Sequence, residues 1–323
     1  VQIFKSAILA GALSLTALTG AAEAATVMKL GHLANEQNSW HLAALKFAEE
    51  VKARTNGEIE IQVFPNDTLG KEVDLIKGMQ FGTVDFTITG ETMQNWTPYA
   101  KLLAVPYSIR SDEQLKAVVD GPVGQKIAEE VQANVHVIPL TWFARGPREL
   151  TSNKPIRNLE DLQGLKMRVP NVPLFVDFWS AIGAKPAPMA FSEVFTGLQS
   201  HVIDAQENPL ALIRSASFNE VQKYVNMTDH VRSWIYLAVS ERNFDRLTPE
   251  QQDAIRESAK IAQDYEHELF LKDEQKFRAE LEAAGMEFIE VDQQAFAEAG
   301  KDAIVQSLGD ELTPLYEQMI ATK

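Results

Sequence analysis

The 323-residue sequence contains no cysteine. Disulfides, thiolate nucleophiles and cysteine-ligated zinc are thereby excluded together. Histidine is scarce as well, with six in all and no pair at metal-ligand spacing. His267-Glu268-Leu269 begins like a helical zinc motif but has no second histidine one turn later. Also missing are a Gly-x-Ser-x-Gly elbow, a phosphate-cradling glycine loop ending in Gly-Lys-Ser/Thr, and a Gly-x-Gly-x-x-Gly turn. No spacing marks a carboxylate or serine as half of a catalytic pair. The sequence therefore predicts no enzyme, no metal site and no cofactor. The enzymatic alternative is a secreted hydrolase or lyase whose site is assembled from distant residues. Positive charge is in deficit too, with 30 Lys and Arg against 45 Asp and Glu, a net charge of -15. That balance argues against nucleic acid or an anionic membrane as partner. It leaves an anionic ligand open, because surface charge is screened beyond about 8 Å at physiological salt.

Long apolar runs are confined to the start of the chain. Lys5 gives a short basic opening, residues 7–18 are apolar and small, and Ala22-Glu23-Ala24 has the form of a signal peptidase site. The apolar stretch is about a dozen residues, short of the roughly 20 that span a bilayer as a helix. No twin-arginine pair precedes it, so the expectation is a cleaved leader over residues 1–24, general secretion and a mature start near Ala25. Its removal takes away one base, Lys5, and one acid, Glu23, so the net charge stays at -15. Export without disulfides fits a bacterial periplasm, where a chain of this length builds its core without staples.

Strand and helix signals then alternate, which predicts an α/β fold. Residues 27–31 read as a strand, and Ser39 as the cap of a helix carrying Leu42, Leu45, Ala48 and Val51. Residues 59–63 and 84–89 read as further strands, with a helix bearing Val73, Ile76 and Met79 between them. A second such unit has strands at 166–169 and 202–205, a helix at 172–182, an extended piece at 186–189 and another helix from Ser192 or Glu193 to about Gln199. Thr248-Pro249-Glu250-Gln251 is a capping box with proline at the first helical position. The next glycine or proline is Gly285, so about 35 residues form one helix of roughly 50 Å, long enough to brace two domains.

Three polar residues stand in apolar, turn-rich settings. Arg148 follows Trp142-Phe143-Ala144-Arg145-Gly146-Pro147, Arg168 continues the strand Leu165-Lys166-Met167, and Asn208 precedes Pro209. Two of them lie at the carboxyl ends of parallel strands, where open α/β sheets place ligand crevices. A guanidinium fork matches a carboxylate, and asparagine bonds the same group or a neighbouring hydroxyl. Each also has an ordinary structural reading, as a surface ion pair or an Asn-Pro turn.

The ordered set Leu150-Thr151-Ser152-Asn153-Lys154-Pro155-Ile156, Asp161-Leu162-Gln163-Gly164-Leu165-Lys166-Met167-Arg168-Val169, Gly183-Ala184, Pro188-Met189, Glu193-Val194-Phe195-Thr196-Gly197-Leu198-Gln199 and Asp204-Ala205-Gln206-Glu207-Asn208-Pro209 resembles the DctP-type solute-binding proteins of TRAP (tripartite ATP-independent periplasmic) transporters. The resemblance extends from Leu30-Gly31-His32 over essentially the whole mature chain. It implies a two-domain periplasmic binding protein fold with a hinge and a long helix bracing both domains. Domain I would comprise residues 25–145 plus about 233–270, and domain II residues 146–232 plus about 271–323. It implies Arg168 as the clamp on a ligand carboxylate, Arg148 as a second anion contact, Asn208 as an orienting group and Phe191 as an aromatic packing on the ligand. Polar contacts from domain I are expected at His32, Glu72 and Glu91, while Leu33 stands where some members carry a polar contact. Trp96, Trp142, Phe191 and Trp234 would form an apolar rim, or else ordinary core. The implied partners are a small organic carboxylate and the small and large membrane subunits of a TRAP permease, with the receptor itself a monomer. A sugar acid such as a uronate or aldonate is the expected ligand. A second carboxylate facing Glu91 would be repelled, which disfavours C4-dicarboxylates. The rival within binding proteins is the receptor of an ATP-driven importer.

Overall fold

The computed structural model describes residues 25–323, apart from the side chains of residues 273–275. The leader expected over residues 1–24 lies outside the described residues. The strands are β1 (Thr26–Gly31), β2 (Ile59–Phe64), β3 (Phe86–Thr89), β4 (Val137–Ala144), β5 (Arg148–Ser152), β6 (Lys166–Val169), β7 (Lys185–Pro188), β8 (Ala205–Pro209), β9 (Tyr224–Val231), β10 (Trp234–Ser240) and β11 (Glu287–Glu290). The helices are α1 (Ser39–Arg54), α2 (Glu72–Phe81), α3 (Asp112–Val119), α4 (Pro122–Val135), α5 (Pro173–Ala181), α6 (Val194–Gln199), α7 (Leu210–Ser215), α8 (Glu241–Phe244), α9 (Pro249–Ala283) and α10 (Gln293–Ala321). No helix among the described residues is long and apolar enough to cross a membrane.

Two sheets result, one of five strands in the order β2-β1-β3-β10-β4 and one of six in the order β11-β9-β5-β8-β6-β7. The chain passes between them twice as extended backbone, from β4 through residues 145–147 into β5, and from β9 through residues 232–233 into β10. These crossings lie side by side, since Arg148 pairs with Val231 and Ala144 pairs with Trp234. Two adjacent strands shared by two sheets form a hinge, because small backbone rotations there swing whole sheets.

Local chemistry explains most element boundaries. Asn38, not Ser39, caps α1 by accepting the Trp40 N–H at 3.0 Å. The Ser39 hydroxyl instead donates to Glu266 on α9. Gly82 ends α2 with φ 76°, a left-handed turn that suits glycine. The strand expected at 202–205 is displaced to β8, at Ala205–Pro209. Apolar Val202 and Ile203 suggested the earlier position, but ladder partners decide: β8 is held by β5 on one side and β6 on the other, while Val202 is exposed.

Helix α9 matches its expectation, with the capping box of Thr248 and Gln251 formed at its start. Its first half buries Ile255, Ala259 and Ala262 in the core beneath the five-stranded sheet, with Phe47, Phe86 and Phe244. Its far end buries Leu281 with Phe218 and Val225 of the other core, and Glu280 meets Arg214 at 2.9 Å. The helix therefore packs on both domains. Helix α10, assigned from sequence to domain II, also touches both. Phe178 of α5 would collide with any side chain at Gly300, while Tyr99 and Gln114 of the first domain bond Glu311 and the Met319 carbonyl. The sequence reading did not delimit α10.

Glu266 sits midway along α9, fully buried, accepting from the Ala144 N–H at 3.0 Å and from Ser39 at 3.1 Å. It anchors the end of β4 just before the first crossing. Burial pushes its carboxyl from 4.5 up to about 8. A folded state that holds this proton more tightly than the unfolded chain loses stability as pH rises between those values. Glu149, also buried, is pushed up to about 8 and acts with the same sign. Glu266→Gln keeps an acceptor for Ala144 and cannot ionise. It is expected to reduce, but not abolish, the fall in melting temperature between about pH 4.5 and pH 8, measured by thermal unfolding across that range.

Candidate functional site

Between the two sheets lies a cleft of about 550 Å³. The parallel strands β6 and β8 deliver Arg168 and Asn208 to it, and β5, antiparallel to β8, delivers Arg148. The local fold fixes each side chain. The backbone just after β7 returns past β6, with the Met189 N–H donating to the Val169 carbonyl. This leaves the Met189 carbonyl to accept from Arg168 Nε at 2.9 Å. The Arg168 guanidinium lies 5.9 Å from the Phe191 ring centre. Its Nη groups have no hydrogen-bond partner among the described residues, and no described carboxylate forms an ion pair with it. Burial lowers its pKa to about 10, still far above neutrality.

Arg148 is placed differently. Its fork is already filled by Glu207 on the paired strand, with Nε to Oε2 at 2.5 Å, Nη2 to Oε1 at 2.8 Å and Nη2 to the Glu207 carbonyl at 2.8 Å. The Glu207 carboxylate also meets His230 Nε2 at 3.0 Å, and the Arg148 guanidinium covers the Phe175 ring at 5.4 Å. Burial pushes the Glu207 carboxyl up, but Arg148 and His230 outweigh it and hold the group down at about 2. The expected second anion contact is thus an internal ion pair lining the cleft.

A third arginine, which the sequence reading passed over, also lines the cleft. Arg145 sits in the first crossing, 7% exposed, and its Nη1 is 2.7 Å from both oxygens of Glu91. Its guanidinium lies 5.4 Å from the Trp40 ring centre. Glu91 opens a short 3-10 turn, Glu91–Asn95, directly after β3, and one of its oxygens is 3.7 Å from Arg148 Nη1. Burial opposes its ionisation, yet Arg145 and Arg148 prevail and hold its carboxyl below the usual range.

Glu72, the first residue of α2, reaches the cleft and accepts from the Thr89 hydroxyl at 2.6 Å. Burial and the neighbouring Glu91 raise its pKa. The Asn208 amide donates to Gln206 at 2.6 Å, and Gln206 in turn donates to Thr151 at 2.9 Å. That chain fixes the side chain and leaves the Asn208 carbonyl oxygen without a described partner.

His32 is not part of this lining. Its ring is buried against His41, with Nε2 to Nδ1 at 3.2 Å, and burial followed by His41 lowers its pKa to about 3. The parity of the backbone after β1 sends the next residue, Leu33, to the cleft instead. The His32 main chain still pins the neighbouring loop, accepting from the Asp67 N–H. Of the four rim aromatics, Trp96 and Phe191 line the cleft. Trp234 is fully buried core, and Trp142 packs on His267 of α9 with ring centres 4.5 Å apart. At the mouth, Lys71 of one domain meets Glu193 of the other at 2.5 Å, and the Asn95 amide donates to the Asn171 carbonyl at 2.8 Å.

Two α/β domains hinged by paired strands, braced by a shared helix and closed over an arginine-lined cleft, define a solute-binding protein. The family described as bacterial extracellular solute-binding protein, family 7 (DctP), matches residues 30–308, and the chain belongs to it. The chain is 57% identical over 294 residues to a solute-binding protein of Roseobacter denitrificans, covering 91% of this chain and 90% of that one. The crystal structure of that TRAP periplasmic protein, with bound L-galactonate, superposes with a TM-score of 0.89 over 91% of this chain and 98% of the other, at 57% identity. The 2,3-diketo-L-gulonate-binding periplasmic protein YiaO of Escherichia coli is 34% identical over 288 residues, 88% of each chain. A TRAP periplasmic solute-binding protein of Xanthobacter autotrophicus with bound β-D-galacturonate gives a TM-score of 0.88 at 30% identity, covering 92% of this chain and all of the other.

Glu207→Gln tests the internal pair. Removing one member of a buried ion pair costs about 3–5 kcal/mol, read as a lower urea midpoint near neutral pH. Because the Glu207 pKa is depressed from 4.5 to about 2, its stabilisation is present above pH 4.5 and lost as pH falls towards 2. The variant is expected to lose that part of the acid dependence.

Proposed function

We propose that this protein captures a sugar acid, an aldonate or uronate, between its two domains and delivers it to the membrane subunits of a TRAP permease. The observation that carries the reading is the buried Arg168 fork, which lines the cleft and has no carboxylate partner among the described residues. An ionised guanidinium in a low-dielectric setting favours a negative partner strongly, and its planar geometry matches a carboxylate. Asn208 and Glu72 offer hydrogen bonds to hydroxyls, and Phe191 and Trp96 supply apolar faces for the carbon chain. Relatives bound to L-galactonate, galacturonate and D-glucuronate support the same ligand class.

Contacts made only when the cleft is shut shift the population towards the shut state, so binding and closure are one equilibrium. The protein returns its ligand unchanged and acts in the periplasm after loss of residues 1–24. Domain I in this reading takes residues 25–145 and about 233–270, and domain II takes residues 146–232 and the segment from about 271.

A thermal-shift screen with L-galactonate, galacturonate, glucuronate, neutral hexoses and amines tests the ligand class. A sugar acid should raise the melting temperature by mass action and be recovered intact. Stabilisation by neutral sugars or amines alone would overturn the carboxylate reading, and turnover would overturn the receptor reading. Arg168→Ala should weaken calorimetric binding by about 2–5 kcal/mol. Arg168→Lys should also bind poorly, since it keeps the charge and loses the fork.

A further inference from the structure

Three buried arginines line the cleft, and two buried carboxylates pair with two of them. Arg145 is bound to Glu91 and Arg148 to Glu207, while Arg168 has neither. Three positive and two negative groups leave one positive charge. At the mouth, Asp67, Asp74 and Glu193, the last paired with Lys71, stand against Lys71 and Lys77, so the mouth adds no net positive charge. An ionised Glu72 would lower that sum further, so the buried groups offer at most one net positive charge. We propose that the Arg145–Glu91 pair is a charge filter that admits monocarboxylate sugar acids and excludes dicarboxylates of the same length. The proposal rests on the sugar-acid reading above and deepens it.

The geometry explains why the filter needs Glu91 in particular. Without that carboxylate, Arg145 would present a second unpaired fork in the same cleft, ready for a second ligand carboxylate. With it, both Glu91 oxygens lie 2.7 Å from Arg145 Nη1, and a second ligand carboxylate meets an arginine already paired with the Glu91 carboxylate. Like charges brought together out of water are strongly disfavoured. Arg145 also belongs to the interdomain crossing, so the pair occupies the hinge end of the cleft rather than its screened mouth.

The test compares L-galactonate with galactarate, the diacid of the same carbon chain, by calorimetry. Wild type should prefer galactonate by on the order of a hundredfold. Glu91→Gln raises the net charge of the cleft by one and should shrink that preference at least about tenfold. Arg145→Gln combined with Glu91→Gln returns the charge of the cleft to its wild-type value and should restore the wild-type ratio. Equal binding of both acids by wild type, an unchanged ratio in folded Glu91→Gln, or a double variant that keeps the Glu91→Gln ratio would each overturn the filter. If Glu91→Gln does not fold, the smaller Glu91→Ser takes its place with the same expectation. Binding of neither acid by wild type would instead overturn the sugar-acid reading, and the filter with it.

Discussion

An arginine without a carboxylate of its own, held away from bulk water, is the condition around which this molecule is arranged. Such a charge is costly in an apolar setting, and the protein's direct contacts to it are one carbonyl at Met189 and the face of Phe191, with the more distant field of Glu207, Glu72 and Glu91. By contrast, Arg145 and Arg148 are paired with Glu91 and Glu207, and both arginines line the same cleft. The contrast among three chemically identical groups separates the one without a carboxylate partner from the two that have one.

Closure gives this condition its mechanical meaning. Residues 145–147 and 232–233 carry the chain between sheets side by side, and the adjoining strands pair with one another. Glu266 ties the end of β4 to α1 and α9, so the crossing leaves from a fixed point. Helix α9 packs on both cores and α10 contacts both domains, which restricts the relative motion to a narrow path. A hinge of this kind lets whole sheets move without any rearrangement inside either core.

Much of this was legible in the sequence, and the limits have physical causes. Helix α9 was readable because its capping box, proline and 35-residue freedom from glycine and proline are local signals. Arg168 and Asn208 were readable because parallel strands put their carboxyl ends on one edge of a sheet, although Asn208 lies within β8 rather than in a turn beyond it. The partner of Arg145 was not readable. Glu91 lies 54 residues away, and nothing in either local sequence names the other. His32 failed for a different reason, since one step of backbone parity separates a side chain facing the cleft from one facing the core, and composition does not record that step. Trp234 fills core, the second of its two readings, because a large aromatic next to a crossing looks the same in sequence whether it shields a ligand or packs inside.

The contacts that join the lips of the cleft carry a consequence for unloading. Lys71 and Glu193 are each about half exposed, 47% and 49%, and the Asn95–Asn171 bond is also at the surface. An exposed pair of this type contributes about 0–1 kcal/mol, which lengthens the dwell time of the shut form by no more than about fivefold. How long the cargo is retained is therefore decided deep in the interior, and a receiving protein that prises the lips apart meets little resistance at its first point of contact.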